Sequence, residues 1–335
     1  MPKGVILKDI ADKTGFTINT VSRALKGRSD ISEATKILIR DTARKMGYVG
    51  NSLAGSLRSG VSKTIAVILG DISNPYFSII TKEIEREAGK YGYRVLILST
   101  EEDEALEEEA IYSVLNKKVD GVILSPCQES MNSVSILRKN EIPFVLLGRH
   151  FQDNDMNYVV CDDINGGYAA TKHLIEEGHK KILLLNGPGF LSPATERFLG
   201  YRKALKENGV PFSRQLVKEI RIITGSVSPV EEALREGLRF TAVLAFSDLT
   251  AFETICVLNS LGLKVPEDIS VVGFDNIQSD FRFPFPLTSV DTPKIEIADQ
   301  AFSLLFGSME NKSDRFCNKI IGNSLVVRGS TRKIE

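Results

Sequence analysis

The chain has 335 residues, 42% of them hydrophobic, with a formal net charge of −1 and four cysteines. That composition supports a large core in two or three domains and argues against a disordered chain or a disulfide-built secreted scaffold. No apolar signal core opens the sequence and no run is long enough to span a bilayer, so a cytoplasmic protein without a membrane partner is expected.

The overall charge conceals an asymmetry. Through Lys63 there are twelve Lys and Arg against five Asp and Glu, a net +7, which leaves −8 on the remainder. A basic head on an acidic body suits phosphate binding at one end. Within the head, LKDIADKTGFTINTVSRALKG (7–27) reads as helix, turn, helix. Leu7, Ile10 and Ala11 share one face of a first helix, Gly15 supplies the turn, and the Thr17 hydroxyl is placed to cap a second helix. On that helix Val21, Ala24 and Leu25 are expected to face inward, and Ile18, Asn19, Ser22 and Arg23 outward. Such a face suits a major groove, although helix–glycine–helix alone also describes any small helical hairpin. Ser32 opens a third helix carrying Ile39, Ala43 and Met46 at helical spacing. Then comes NSLAGSLRSG (51–60), a short polar linker with helical potential.

Beyond Gly60, short apolar runs alternate with amphipathic stretches. The runs are 64–69 (TIAVIL), 94–99 (RVLILS), 121–125 (GVILS), 144–147 (FVLL), 158–161 (YVVC), 182–185 (ILLL), 242–246 (AVLAF) and 269–274 (ISVVGF). The stretches between them are 76–91, 104–116, 166–177, 196–208 and 249–261. This alternation predicts parallel sheets covered on both faces, in two similar α/β halves that divide near residues 162–165. Ligands bind beyond the carboxyl ends of such strands. The loops there are DISNPYF (71–77), SPC (125–127), Gly148-Arg149, Ser247-Asp248 and Asp275-Asn276. Carboxylates and arginine to hold hydroxyl pairs, with aromatics to cover a ring face, suit a polyhydroxyl ligand.

Cys127, Cys161, Cys256 and Cys317 show neither a CxxC pair nor a metal spacing, and read as buried free thiols. His150, His173 and His179 complete no ligand set with them and read as structural. With no Walker A loop, GxSxG or GxGxxG, no cofactor, metal or catalytic residue is expected.

At these residues the chain resembles the LacI/GalR family of bacterial transcriptional regulators over essentially its whole length. The resemblance rests on IADKTGFTINTVSRALKG, GYVGNSLAGSLRSG, TIAVIL followed by DISNPYF, VDGVILSP, PFVLLGR, DDINGGYAAT with HLIEEGHKKILLL, ERFLGYRKAL, and VPEDISVVGFDN followed by PLTSVD. It implies an all-α helix-turn-helix headpiece (1–50), a hinge helix (51–60), and an α/β periplasmic-binding-protein-like body of two doubly wound parallel-sheet subdomains. The implied subdomains are 61–162 with 292–321 and 163–291 with 322–335, with crossovers near Asp162, residues 288–292 and residues 321–323.

The resemblance implies a repressor that binds near-palindromic operator DNA as a homodimer, under control of a small effector, a carbohydrate by expectation. A dimer is expected, without the extra tetramerisation helix of the lac repressor. Residues 76–91 and 104–116 are the expected dimer helices. Thr17, Ile18, Asn19, Thr20, Ser22 and Arg23 match the recognition helix. Arg23 suits a guanine edge, Asn19 an adenine edge and Ile18 a thymine methyl, while Thr20 and Ser22 suit phosphate contacts or capping. Leu57, beside Leu53 and Ala54, matches the hinge leucine that wedges into the minor groove, although Gly55 opposes a stable helix there.

For the effector, Arg197 and Asp275 match the family's recurrent binding pair. Tyr76 and Phe77 match its cleft aromatics, with Phe77 favoured. Arg149, Phe246, Asp248, Asn74 and Phe281 are further candidates, and Asp163 is read as either a ligand residue or a helix cap. Two other classes compete: a sugar-binding module or receptor without a DNA role, and a metabolic enzyme on an α/β body. The headpiece opposes the first, and the missing nucleophile, metal cluster and phosphate loop oppose the second.

Overall fold

The computed structural model describes residues 4–49, 60–152, 155–220, 228–281, 283–310 and 316–334. The chain divides into two compact units, Met1–Ser62 and Lys63–Glu335. The hinge segment, including Leu53, Ala54 and Leu57, lies outside the described residues.

The first unit packs three helices, α1 (Leu7–Thr14), α2 (Ile18–Leu25) and α3 (Glu33–Lys45). Gly15 ends α1 in the left-handed region at φ 72°, donating its N–H to Ala11. The Thr17 and Ser32 hydroxyls accept the N–H groups of Thr20 and Thr35, capping α2 and α3. Ile10, Ala11, Val21, Ala24, Ile39 and Ala43 form the core, flanked by Leu7, Leu25 and Met46. Burying each larger aliphatic contributes roughly 1.5–3 kcal/mol, so this small core depends on every member.

The body contains two six-stranded sheets. In the first, β1 (Thr64–Leu69), β2 (Arg94–Ser99), β3 (Gly121–Leu124), β4 (Phe144–Leu147), β5 (Tyr158–Cys161) and β11 (Asn318–Ile321) lie in the order β11-β5-β4-β3-β1-β2, all parallel. In the second, β6 (Ile182–Asn186), β7 (Val217–Glu219), β8 (Ala242–Ala245), β9 (Ser270–Asp275), β10 (Thr288–Asp291) and β12 (Ser324–Val326) lie in the order β12-β10-β9-β8-β6-β7. Here β12 runs antiparallel to β10, so this sheet departs from the all-parallel expectation at its edge.

Helices α4 (Pro75–Lys90), α5 (Glu104–Asn116), α6 (Asn132–Lys139) and α11 (Lys294–Met309) belong to the first lobe. Helices α7 (Asp163–Glu176), α8 (Ser192–Glu207), α9 (Pro229–Arg235) and α10 (Asp248–Ser260) belong to the second. Each sheet has an apolar cluster on both faces, as Ile65, Ile80 and Phe302 show on one side of the first sheet and Ile68, Ile111 and Val134 on the other. The chain passes between lobes after β5, after β10 and after β11.

Other expectations shift in detail. Helices α7 and α8 begin earlier than their periodicity suggests, bringing Asp163 and Ser192 into helix. Cys127 and Cys161 are buried, but Cys256 is exposed and Cys317 only partly covered.

Candidate nucleic-acid interface and ligand cleft

In the headpiece, Val21 and Ala24 are wholly buried, which turns Ile18, Asn19 and Arg23 to the surface and leaves Thr20 and Ser22 half-covered. Ile18 is 48% exposed, so its side chain is available on the same face as Asn19 and Arg23. The Thr17 and Thr20 hydroxyls lie 2.9 Å apart, so both serve the cap. The Arg23 guanidinium is paired with Asp30 at 2.5 Å, both side chains being half-exposed.

In the body, a cleft of about 680 Å³ opens where strand ends of both lobes converge. Tyr76, Phe77, Arg149, Arg197, Phe246 and Asp275 all line it. Tyr76 and Phe77 meet edge to face at 5.2 Å between ring centroids. Phe77 is also part of the first lobe's core, so both aromatics reach the cleft and Phe77 is not favoured over its neighbour. Asn74 also lines the cleft, its side chain capping α4 by accepting the Tyr76 N–H.

Arg197 is held from three sides. Its Nε donates to Asp163 Oδ1 at 2.7 Å, its Nη1 donates to the Phe246 carbonyl, and its guanidinium lies 3.6 Å from the Phe274 ring centroid and 4.6 Å from that of Phe246. Close helix packing makes this possible. A Cβ at Gly200 would collide with the Ile164 carbonyl, and one at Gly167 with the Arg197 backbone, so the two glycines let α7 and α8 touch. Asp163 is therefore the partner of Arg197, and the cap of α7 is Asp162, whose Oδ1 accepts the Asn165 N–H. Burial pushes the Asp163 carboxyl up to about 6 against the opposing pull of Arg197.

Asp275 ends β9 with a left-handed φ of 103°, followed by Asn276 at 49°. Its carboxyl is pushed up to about 8 by burial, with Arg197 opposing and Asp248 adding to the rise. Among the described residues, nothing donates a hydrogen bond to that carboxylate. The turn is braced from behind. Lys294, 4% exposed at the start of α11, donates to the Asp275 carbonyl at 2.8 Å and the Asn276 carbonyl at 3.2 Å. Arg328 donates to Asn276 Oδ1 at 2.6 Å. Strain of this kind persists where surrounding contacts over-determine it.

Asp248 departs from expectation. It is wholly buried and does not line the cleft; its oxygens accept the Ile277 N–H at 2.8 Å and the Ser289 hydroxyl at 2.5 Å. It braces the loop after β9, not a ligand. Phe281 likewise lies outside the cleft lining and is 47% exposed.

Sequence reading missed Glu102. Its carboxylate takes the Arg149 guanidinium in a two-pronged pair at 2.6 and 2.7 Å, and both residues line the cleft. It also missed the contact of His150 with Glu196, which joins the lobes at 2.7 Å.

Known proteins resemble the chain in both units. Residues 6–51 match the model of bacterial regulatory proteins of the lacI family, and residues 62–321 match that of periplasmic binding proteins and the sugar binding domain of the LacI family. The chain is 33% identical to the HTH-type transcriptional regulator DegA of Bacillus subtilis (strain 168), over 96% of this chain and 97% of that protein. It is 31% identical to the HTH-type transcriptional repressor CytR of Escherichia coli (strain K12), over 98% and 96% respectively. A solved complex of the transcriptional regulator CelR with cellobiose superposes with a TM-score of 0.73 at 26% identity, covering 97% of this chain and 99% of that one.

Proposed function

The chain belongs to the LacI family of bacterial regulatory proteins, DNA-binding repressors under small-ligand control, and from that premise we propose that its effector is a neutral sugar held between the lobes. The observation that carries this reading is Asp275, a buried carboxyl group at the cleft wall to which no described residue donates. Leaving such a group unsatisfied costs about 1–3 kcal/mol or more, which a ligand hydroxyl pair recovers. Arg197 Nη2 has no partner among the described residues and supplies a donor to the same ligand, while Tyr76, Phe77 and Phe246 cover its apolar face.

Charge disfavours an anionic effector. Arg149 and Arg197 are already matched by Glu102 and Asp163, and Glu231 by Arg235, which leaves Asp71 and Glu253 as surplus acids on the lining. The CelR complex with cellobiose is a precedent for a neutral sugar in a protein of this similarity.

In the same reading, two headpieces of a homodimer place Thr17, Ile18, Asn19, Thr20, Ser22 and Arg23 at a near-palindromic operator, because one short helix reads too few base pairs. Leu57 is assigned the minor-groove wedge of the hinge. Effector binding shifts the two lobes, and the difference in effector affinity between lobe arrangements is the free energy that moves the operator equilibrium.

The test is thermal unfolding of the full chain against neutral sugars, sugar phosphates, uronates and purines. A native-state ligand at a hundred times its dissociation constant stabilises by about 2.7 kcal/mol. A neutral sugar that shifts the wild type but not Asp275→Ala or Arg197→Ala supports the assignment. A shift confined to phosphates, uronates or purines overturns it.

A further inference from the structure

The Arg149 side chain offers the cleft a planar fork of the kind that binds phosphate or carboxylate bidentately. That fork is occupied by the protein itself. Nη1 donates to Glu102 Oε2 at 2.6 Å and Nη2 to Glu102 Oε1 at 2.7 Å, while Nη1 also reaches the Pro126 carbonyl at 2.8 Å. The two side chains are 7% and 9% exposed.

The backbone is bent to make this contact. Glu101 and Glu102 are successive left-handed residues at φ 53° and 58°, a conformation costly for non-glycine residues. A Cβ at Gly70 would strike the Glu102 carboxylate, so the glycine ending β1's run opens the space it occupies. Other acids of this segment serve different ends: Asp103 caps α5, and Glu107 accepts the Cys127 N–H at 2.6 Å.

We propose that Glu102 is a specificity-determining residue of the cleft, a built-in carboxylate that fills the Arg149 fork and so excludes effectors bearing a phosphate or carboxylate. The inference rests on the neutral-sugar reading and deepens it, because it names the group that enforces neutrality. An anionic ligand reaching Arg149 would have to break a buried pair and then sit beside the displaced Glu102 charge. A neutral hydroxyl compound makes neither demand. Removing the Glu102 charge leaves an unpaired buried guanidinium on the cleft wall, which is an anion site.

The test uses the full chain and inorganic phosphate as the probe, at constant ionic strength set with chloride. Melting temperature and calorimetric titration are followed for wild type, Glu102→Gln, Glu102→Ala, Arg149→Ala and the double variant Glu102→Ala/Arg149→Ala, each checked for native circular dichroism. Wild type is expected to show no saturable response. Glu102→Ala is expected to bind phosphate at least roughly tenfold more tightly than wild type, with the response abolished in the double variant. Glu102→Gln, which keeps the shape and removes the charge, covers the case in which the alanine variant does not fold, and it also gains a response. A folded Glu102→Ala or Glu102→Gln no more responsive than wild type overturns the role of Glu102, as does a response that survives loss of Arg149. Saturable binding of phosphate by the wild type that is lost in the single variant Arg149→Ala overturns the neutral-effector reading itself, so the two failures are distinguishable.

Discussion

The His150 imidazole and the Glu196 carboxylate meet at 2.7 Å, one following β4 of the first lobe and the other on α8 of the second. Around them Ser192 donates its N–H to Gln128 Oε1 at 3.0 Å, and His150 donates its own N–H to the Ser192 hydroxyl at 3.0 Å. The lobes are therefore joined at the cleft rim by a hydrogen-bonded knot containing one titratable ring.

The hydrogen bond to Glu196 raises the His150 pKa above its ordinary value; the Phe151 carbonyl and the Asp163 charge add to it, and burial opposes it. The ring is also stacked on Tyr158 at 4.8 Å. A histidine whose folded pKa is raised contributes stability that is complete below the unfolded pKa of about 6.5 and fades as pH rises through the folded value. His150→Gln should therefore lower the melting temperature at pH 6 and have a smaller effect at pH 8.5. The pair is partly exposed, so the expected loss is about 1 kcal/mol or less, roughly 2 °C. An equal loss at both pH values would remove the charge from this account.

Asp275 carries the opposite liability. With its carboxyl raised to about 8, the folded protein holds a proton that the unfolded chain has already released. Between the unfolded carboxylate pKa of about 4 and the folded value, stability falls as pH rises. Asp275→Asn should thus raise the melting temperature of the unliganded protein at pH 8 more than at pH 5, while abolishing the shift from any neutral sugar that stabilises the wild type. Thermal scans at both pH values check this, and an asparagine variant less stable than wild type at pH 8 contradicts it.

The glycine contact between α7 and α8 gives a sterically defined expectation. Gly200→Ala forces the helices apart and should cost about 1–3 kcal/mol in urea unfolding, with weakened effector binding because Arg197 moves off Asp163. Gly307→Ala is the control: a Cβ there meets nothing within 4 Å, and removing a helical glycine should stabilise by about 0.5 kcal/mol.

In the headpiece, Arg23 is paired with Asp30, and under the proposed operator contact that pair would compete with DNA for the same guanidinium. Asp30→Asn should tighten binding to a duplex of arbitrary sequence, by removing both the competitor and a negative charge. Arg23→Ala, which removes a cation from the same face, should weaken that binding. Fluorescence anisotropy across a chloride series reads both; an unchanged affinity in Asp30→Asn would show that the pair does not restrain Arg23.

The parallel core was legible because strands buried on both faces are written as continuous apolar runs, as in TIAVIL and ISVVGF. Strand β10 (TSVD) escaped that reading although it lies inside its sheet. Its Thr288 and Ser289 are buried through hydrogen bonds to Ser330 and Asp248, not through apolar contact. Strands β7, β11 and β12 are short edge strands with little to pack, and carry little pattern. Of the residues lining the cleft, Asp275 was marked both by its place beyond a strand's carboxyl end and by resemblance, and Arg197 mainly by resemblance. Glu102 was not, because a run such as EEDEALEEEA reads as a solvated acidic face. The left-handed turn that redirects one of those acids inward is a property of the backbone, with no counterpart in residue type.

The chain's returns between lobes also set the order in which the body can be completed during synthesis. Tyr158 of β5 pairs with Asn318 of β11, and the first lobe's core requires Ile297, Ala301 and Phe302 of α11. On an emerging chain the first sheet therefore waits, with one edge open and one face covered only by α4, until nearly the whole second lobe has been translated. The headpiece core closes within its first few dozen residues. A nascent repressor thus has a finished DNA reader long before it has a finished sensor, and its longest exposure to proteases and misassembly falls on the lobe whose sequence was made first.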